Sequence, residues 1–191
     1  MRSTIRSIII LSFLSLVLLA TRFNHFGSPV DPPDATLAVL FLAGWYLGTW
    51  ESLVILLMLA GLADALSIAG GVSAWCVTPA YWFLIPAYAM PWVAGRSARG
   101  VAGPLVRRTA IGAVTLTLAV TAFFAISNAS FFLLSGYFGS MTATAYTRAV
   151  LQYFPRYLEI AAGYVAIAAL IDLGARYVLA RSKAPREQPA T

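Results

Sequence analysis

Six apolar runs divide the chain: Ile5–Ala20, Ala35–Trp50, Ser52–Gly70, Thr78–Val93, Thr109–Leu134 and Tyr157–Leu179. Each is close to the ~20 apolar residues that cross ~30 Å of hydrocarbon as a helix. Three of them, the first, second and fourth, have only 16 residues, so their ends must reach into flanking sequence or the bilayer must thin around them. A membrane barrel would instead need ~10-residue segments of alternating polarity, and Leu53-Val54-Ile55-Leu56-Leu57-Met58 does not alternate. Charged residues make up 10% of the chain and apolar ones 60%, whereas a soluble domain carries roughly 25% charge. The expected fold class is therefore an all-α membrane protein, a bundle of six transmembrane helices over residues 1–181. Residues 182–191, with Pro185, Pro189 and no apolar periodicity, are expected to form a disordered tail.

The net charge of +6 does not point to nucleic acid, because no basic stripe is interleaved with polar and aromatic residues. Topology explains it better. Arg2, Arg6, Arg96, Arg99, Arg107, Arg108, Arg176, Arg181, Lys183 and Arg186 all fall on one side of a six-span map, and only Arg22, Arg148 and Arg156 on the other. Cytoplasmic loops retain Lys and Arg, so both termini are expected inside. Met1–Ala20 also resembles a secretory signal, two Arg residues before an apolar run. Leu18 stands where a cleavage site prefers a small residue, which argues for retention; removal would leave five spans and the same loop orientation.

The outer side collects the chemistry. Its loops are expected over residues 21–34, 70–77 and 135–156, rich in aromatic residues, Pro and Gly, whereas the turn between spans two and three is little more than Glu51. Concave sites are largely apolar and aromatic with a few placed polar groups, and these loops offer that material. An aromatic belt at the interface is the plain alternative for any one Tyr or Trp. Cys76 is the only cysteine, so it has no disulfide partner within the chain, and it sits beside Trp75 and five residues before Tyr81. A thiolate there suits a soft or borderline metal; a small buried hydrophobe is the alternative. His25 is the only histidine and lies on the same side. One His and one Cys do not make a four-ligand zinc site, so a metal would have to arrive with its own ligands, as in haem or a corrinoid. His25 otherwise reads as a solvated loop residue.

Asp64 lies near the outer end of the third span, where an intramembrane carboxylate usually faces the bundle interior or a wet cavity. It could accept hydrogen bonds from ligand amides or reach out to the interface. Arg156 has Glu159 three residues on and reads as a local pair, as does Asp172 with Arg176. Arg148, within Tyr146-Thr147-Arg148, has no such partner and could meet a phosphate or polar ligand group, or simply line a solvated rim. Pro86 and Pro91 interrupt the fourth span and free backbone carbonyls that could shape a pocket floor.

Six short spans, both termini inside and long outer loops resemble the substrate-binding S-components of energy-coupling factor vitamin transporters. The segment Trp75-Cys76-Val77-Thr78-Pro79-Ala80-Tyr81 is similar to their solitary cobalamin-specific branch, the BtuM type. The architecture covers nearly the whole chain and the motif these few residues. The resemblance implies a multi-pass protein of the bacterial cytoplasmic membrane that binds cobalamin at its outer face, with Cys76 as axial ligand of cobalt. In that setting Trp75, Tyr81 and aromatics such as Tyr146 would cover the corrin faces, and Asp64 and Arg148 would meet its amide or phosphate periphery. A thiolate donor would also favour loss of the opposite axial ligand, cyanide in the cyano form. The first span lacks the Ala-x-x-x-Ala surface by which group S-components dock their shared transmembrane subunit, with Ser3 and Ser7 the nearest imitation. A solitary carrier agrees with that departure. No P-loop sequence is present either. A carrier for another vitamin, a thiol or haem oxidoreductase, and a small structural membrane subunit remain the competing classes.

Overall fold

The computed structural model describes residues 2–22 and 32–183. Within them the chain forms α1 (Arg2–Arg22), α2 (Thr36–Tyr46), α3 (Trp50–Ala69), α4 (Leu84–Ala98), α5 (Leu105–Leu134), α6 (Ala143–Leu151) and α7 (Phe154–Lys183), with no strand. Two short 3-10 segments, Ala74–Cys76 and Pro79–Phe83, lead from α3 into α4. His25 lies outside the described residues, as does the tail beyond Lys183. The first two residues expected in that tail instead continue α7.

Among the described residues four helices are long and apolar enough to cross a membrane: Thr4–Arg22, Trp50–Ala69, Leu105–Leu134 and Phe154–Arg181. Their outward faces support lipid as the solvent. Ile9 on α1, Met58 on α3, Leu118 on α5 and Leu170 on α7 are all more than half exposed, whereas soluble proteins rarely expose large contiguous apolar patches. Of the apolar stretch of α7 only 6% is buried against the rest of the chain. The architecture is that of a helical, multi-pass membrane protein.

α2 is different, being 11 residues long and so roughly 16 Å at 1.5 Å per residue. Thr36 to Gly44 are buried all round it, which makes it the central post of the bundle. It packs most extensively on α4. At their crossing a methyl at Gly44 would stand 2.1 Å from Trp92 O, and one at Gly95 would stand 2.0 Å from Phe41 O. The two backbones touch, as small residues at membrane helix interfaces permit. Gly48, at φ 64°, turns the chain out of α2, and Arg99 donates to the Leu47 carbonyl there. The α2–α3 turn therefore comprises Leu47, Gly48 and Thr49, with Glu51 already in the first turn of α3, where a negative charge suits the helix dipole. The segment expected as a loop over 135–156 also holds a helix, α6, whose first turn is capped by the Thr142 side chain accepting from Ala145 N.

Candidate functional site

Because α2 is short, it fills only part of the depth of the bundle. A cavity of about 700 Å³ lies at its Thr36 end, lined by Leu37 of α2 and by residues of α1, α3, α4, α5 and α7. That is within the ~300–1,000 Å³ of small-molecule sites.

The polar side of the cavity is organised by Arg22, the last residue of α1 and only 5% exposed. Its Nε donates to Asp64 Oδ1 at 2.8 Å and to Ala60 O at 3.2 Å, and its Nη2 to Asp64 Oδ2 at 2.7 Å. Nη1 donates to Thr36 Oγ1 and to Tyr88 Oη, both at 3.0 Å, and lies 3.5 Å from Asp34 Oδ2. The guanidinium carbon also sits 5.3 Å from the Tyr88 ring centre. An isolated charge is expensive to bury, so a buried arginine needs such a set of partners. Asp34 in turn accepts from Thr36 N at 2.8 Å, anchoring a carboxylate at the N-terminus of α2, where the helix dipole favours it. Tyr81 Oη donates to Asp64 Oδ2 at 2.7 Å. One arginine thereby ties α1 to α2, α3 and α4, with two carboxylates around it.

The remaining wall is aromatic and carries the thiol. Ser73 accepts from Trp75 N and Thr78 from Ala80 N, each at 3.3 Å, and these caps start the two 3-10 segments. Cys76 closes the first segment, lines the cavity and is exposed. Burial by its surroundings pushes its thiol pKa up, and the Asp64 carboxylate adds to that rise. Trp75 stacks on Tyr137 with ring centres 4.8 Å apart, and Tyr137 Oη donates to Trp75 O at 3.1 Å. Phe131 meets both rings edge-on.

Of the residues singled out in the sequence, Asp64, Trp75, Cys76 and Tyr81 come together in the cavity. Tyr146 and Arg148 do not line it. Tyr146 is buried against Phe132 and Phe138 and donates to Asn128 Oδ1 at 3.3 Å. Arg148, two residues on along α6, is exposed. Arg156 does line the cavity. The local pair expected with Glu159 is not formed, since the ion pairs among the described residues join Arg22 to Asp34 and Asp64, and Arg176 to Asp172. The last of these was expected. Pro86 lies in the first turn of α4, where no intrahelical N–H is lost, and Pro91 is buried inside that helix.

Arg22, Asp34, Thr36 and Tyr88 were not singled out in the sequence as site residues. The signal for Arg22 was Asp64 itself, because a carboxylate inside an apolar span calls for a cationic partner, and Arg22 stands at the end of the first span on the same side. Among the described residues no three His, Cys, Asp or Glu side chains group as a metal site. No protein-family model matches the chain, and no curated protein matches it.

Proposed function

We propose that this chain is a six-span membrane carrier that takes a cobalt corrinoid of the vitamin B12 class into the cavity, with Cys76 Sγ as an axial ligand of cobalt. The single observation that carries this reading is the exposed Cys76 thiol on the wall of an aromatic-lined cavity that also holds the Asp64–Tyr81 pair. A thiol with no cluster of donors around it among the described residues suits a metal that arrives with an equatorial set of ligands of its own. Trp75, backed by the stacked Tyr137 ring, offers a flat face for a macrocycle.

Six spans follow if α2 and its flanking residues make one and Pro79–Phe83 with α4 another. That last pair runs for 20 residues, 5 of them 3-10 and 15 α-helical, roughly 30 Å in all. Arg6, Arg96, Arg99, Arg107, Arg108 and Arg176 then share one side with both termini, which the positive-inside rule makes cytoplasmic. The cavity opens to the exterior or periplasm. A cyano form would lose cyanide by ligand substitution: the thiol gives up its proton, the thiolate donates an electron pair to cobalt(III), and cyanide leaves with its own pair as HCN. No electron donor or acceptor is required.

Detergent-purified protein incubated with cyanocobalamin and passed through gel filtration tests the reading. Corrin is expected to co-elute at about one per chain with the parent and to be depleted with Cys76→Ala. A parent that elutes free of corrin would overturn the corrinoid reading and return the cavity to another vitamin.

A further inference from the structure

Arg22 lines the cavity but is only 5% exposed, and four of its five N–H hydrogens are spent on Asp64, Ala60, Thr36 and Tyr88. Little of it is left to grip a ligand. What it governs is the direction of the groups that do face the cavity. Its planar fork takes both Asp64 oxygens at 2.8 and 2.7 Å, which fixes the carboxylate plane. The fixed Oδ2 then captures the single hydroxyl proton of Tyr81 at 2.7 Å. A phenol has one O–H and two lone pairs, so Tyr81, with its proton turned to Asp64, presents acceptor lone pairs to the cavity that it lines. The relay is Arg22 to Asp64 to Tyr81, running from α1 through α3 to the segment before α4.

We infer that Arg22 is a positioning residue of this site: through Asp64 it orients the Tyr81 hydroxyl as a hydrogen-bond acceptor, so that the wall selects ligands offering N–H donors, such as the primary amides on a corrin rim. The inference rests on the corrinoid reading for the identity of the ligand. The relay itself belongs to the chain. An ammonium in place of the guanidinium keeps the charge and loses the fork, so Arg22→Lys holds one carboxylate oxygen and leaves the plane free to turn.

A merely structural arginine has to be separated from a positioning one. Arg22→Gln alone strands Asp64 without its cation, whereas Arg22→Gln with Asp64→Asn removes both charges of that pair, a change that proteins often tolerate in stability, and leaves Asp34 as the one carboxylate that lay beside Arg22. Thermal unfolding and cobinamide titration followed by absorption are measured on the parent, on Arg22→Lys and on this double variant, each with and without Tyr81→Phe. Cobinamide keeps rim amides and omits the nucleotide loop. In the parent, Tyr81→Phe is expected to weaken binding about tenfold, the size of one good hydrogen bond. In the folded double variant affinity is already lower by about that factor, and Tyr81→Phe costs little more. Arg22→Lys is expected to fall between the two while unfolding near the parent temperature.

A double variant that folds and binds as the parent does, or in which Tyr81→Phe still costs the full factor, overturns the relay. If the double variant does not fold, Arg22→Lys carries the same cycle, and an undiminished Tyr81→Phe effect there overturns it too. A parent that binds no cobinamide removes the ligand, and the inference about selection falls with the corrinoid reading. The relay is then read by the Tyr81 ultraviolet absorption and its response to Arg22→Lys, with no response overturning it.

Discussion

The two ends of α2 are held by opposite chemistries. At Gly44 the helix meets α4 through bare backbone, with no room for a methyl on either side. Trp92 seals that end, its Nε1 donating to Ser52 Oγ at 3.2 Å and its ring lying under Arg96. At Thr36 the same helix is held by a buried guanidinium and two carboxylates. Steric contact of this kind has one solution and no partners to exchange, so it makes a frame. A hydrogen-bonded ion cluster holds through directed polar partners, at high cost if left half-satisfied. The rigid end carries the fold, and the polar end carries the cavity.

The largest effect that tests this contrast is loss of the arginine. Arg22→Ala leaves two carboxylates around a vacated site and is expected to cost about 3–5 kcal/mol of stability, read as a lowered unfolding midpoint in detergent. A smaller loss than that of any glycine variant would reverse the assignment of the two ends. Next comes Gly95→Ala, which drives a methyl into Phe41 O and should cost near the top of the about 1–3 kcal/mol of overpacking. Corrinoid affinity of the fraction that folds should be unchanged, because Gly95 lies away from the cavity.

The pH dependence is next in size. Cobalt ligation requires the thiolate, so a bound proton must leave, and apparent affinity is expected to rise about tenfold per pH unit below the thiol pKa. With that pKa raised by burial and by Asp64, the rise should continue past the ordinary cysteine value of about 8.5. Asp64→Asn removes one of the two causes and should move the rise to lower pH. A flat profile from pH 6 to 9 would speak against thiolate ligation. The smallest effect is that of Tyr137→Ala, which unstacks Trp75 and should weaken binding by about 0.5–1.5 kcal/mol with no change in the unfolding midpoint. An equal loss of stability would make the stack part of the frame.

Much of the long-helix architecture is legible in sequence because lipid demands long apolar runs. Which face of a run meets protein is not. α2 and α3 are both apolar, yet α2 is buried all round while α3 buries a stripe of Ser52, Leu53, Leu56, Ala60 and Ala63. In a bilayer, apolarity does not distinguish inside from outside, and only small residues mark the contact. Asp64 and Cys76 were legible through chemistry out of place in an apolar setting, and Tyr81 through its place five residues after Cys76. Arg22 was read as a minority loop charge because its partners are up to 66 positions away along the chain. α6 was missed because its nine residues are too few for a span and its aromatic Tyr146 resembles interface decoration until Phe132 and Phe138 pack on it.

The most direct test of the central claim is the absorption spectrum of purified protein with cyanocobalamin, taken side by side for the parent and Cys76→Ala. A corrin spectrum shifted by the parent and unshifted by the variant is the predicted result, with cobalt ligated by Cys76. Identical, free-cofactor spectra in both samples would contradict it.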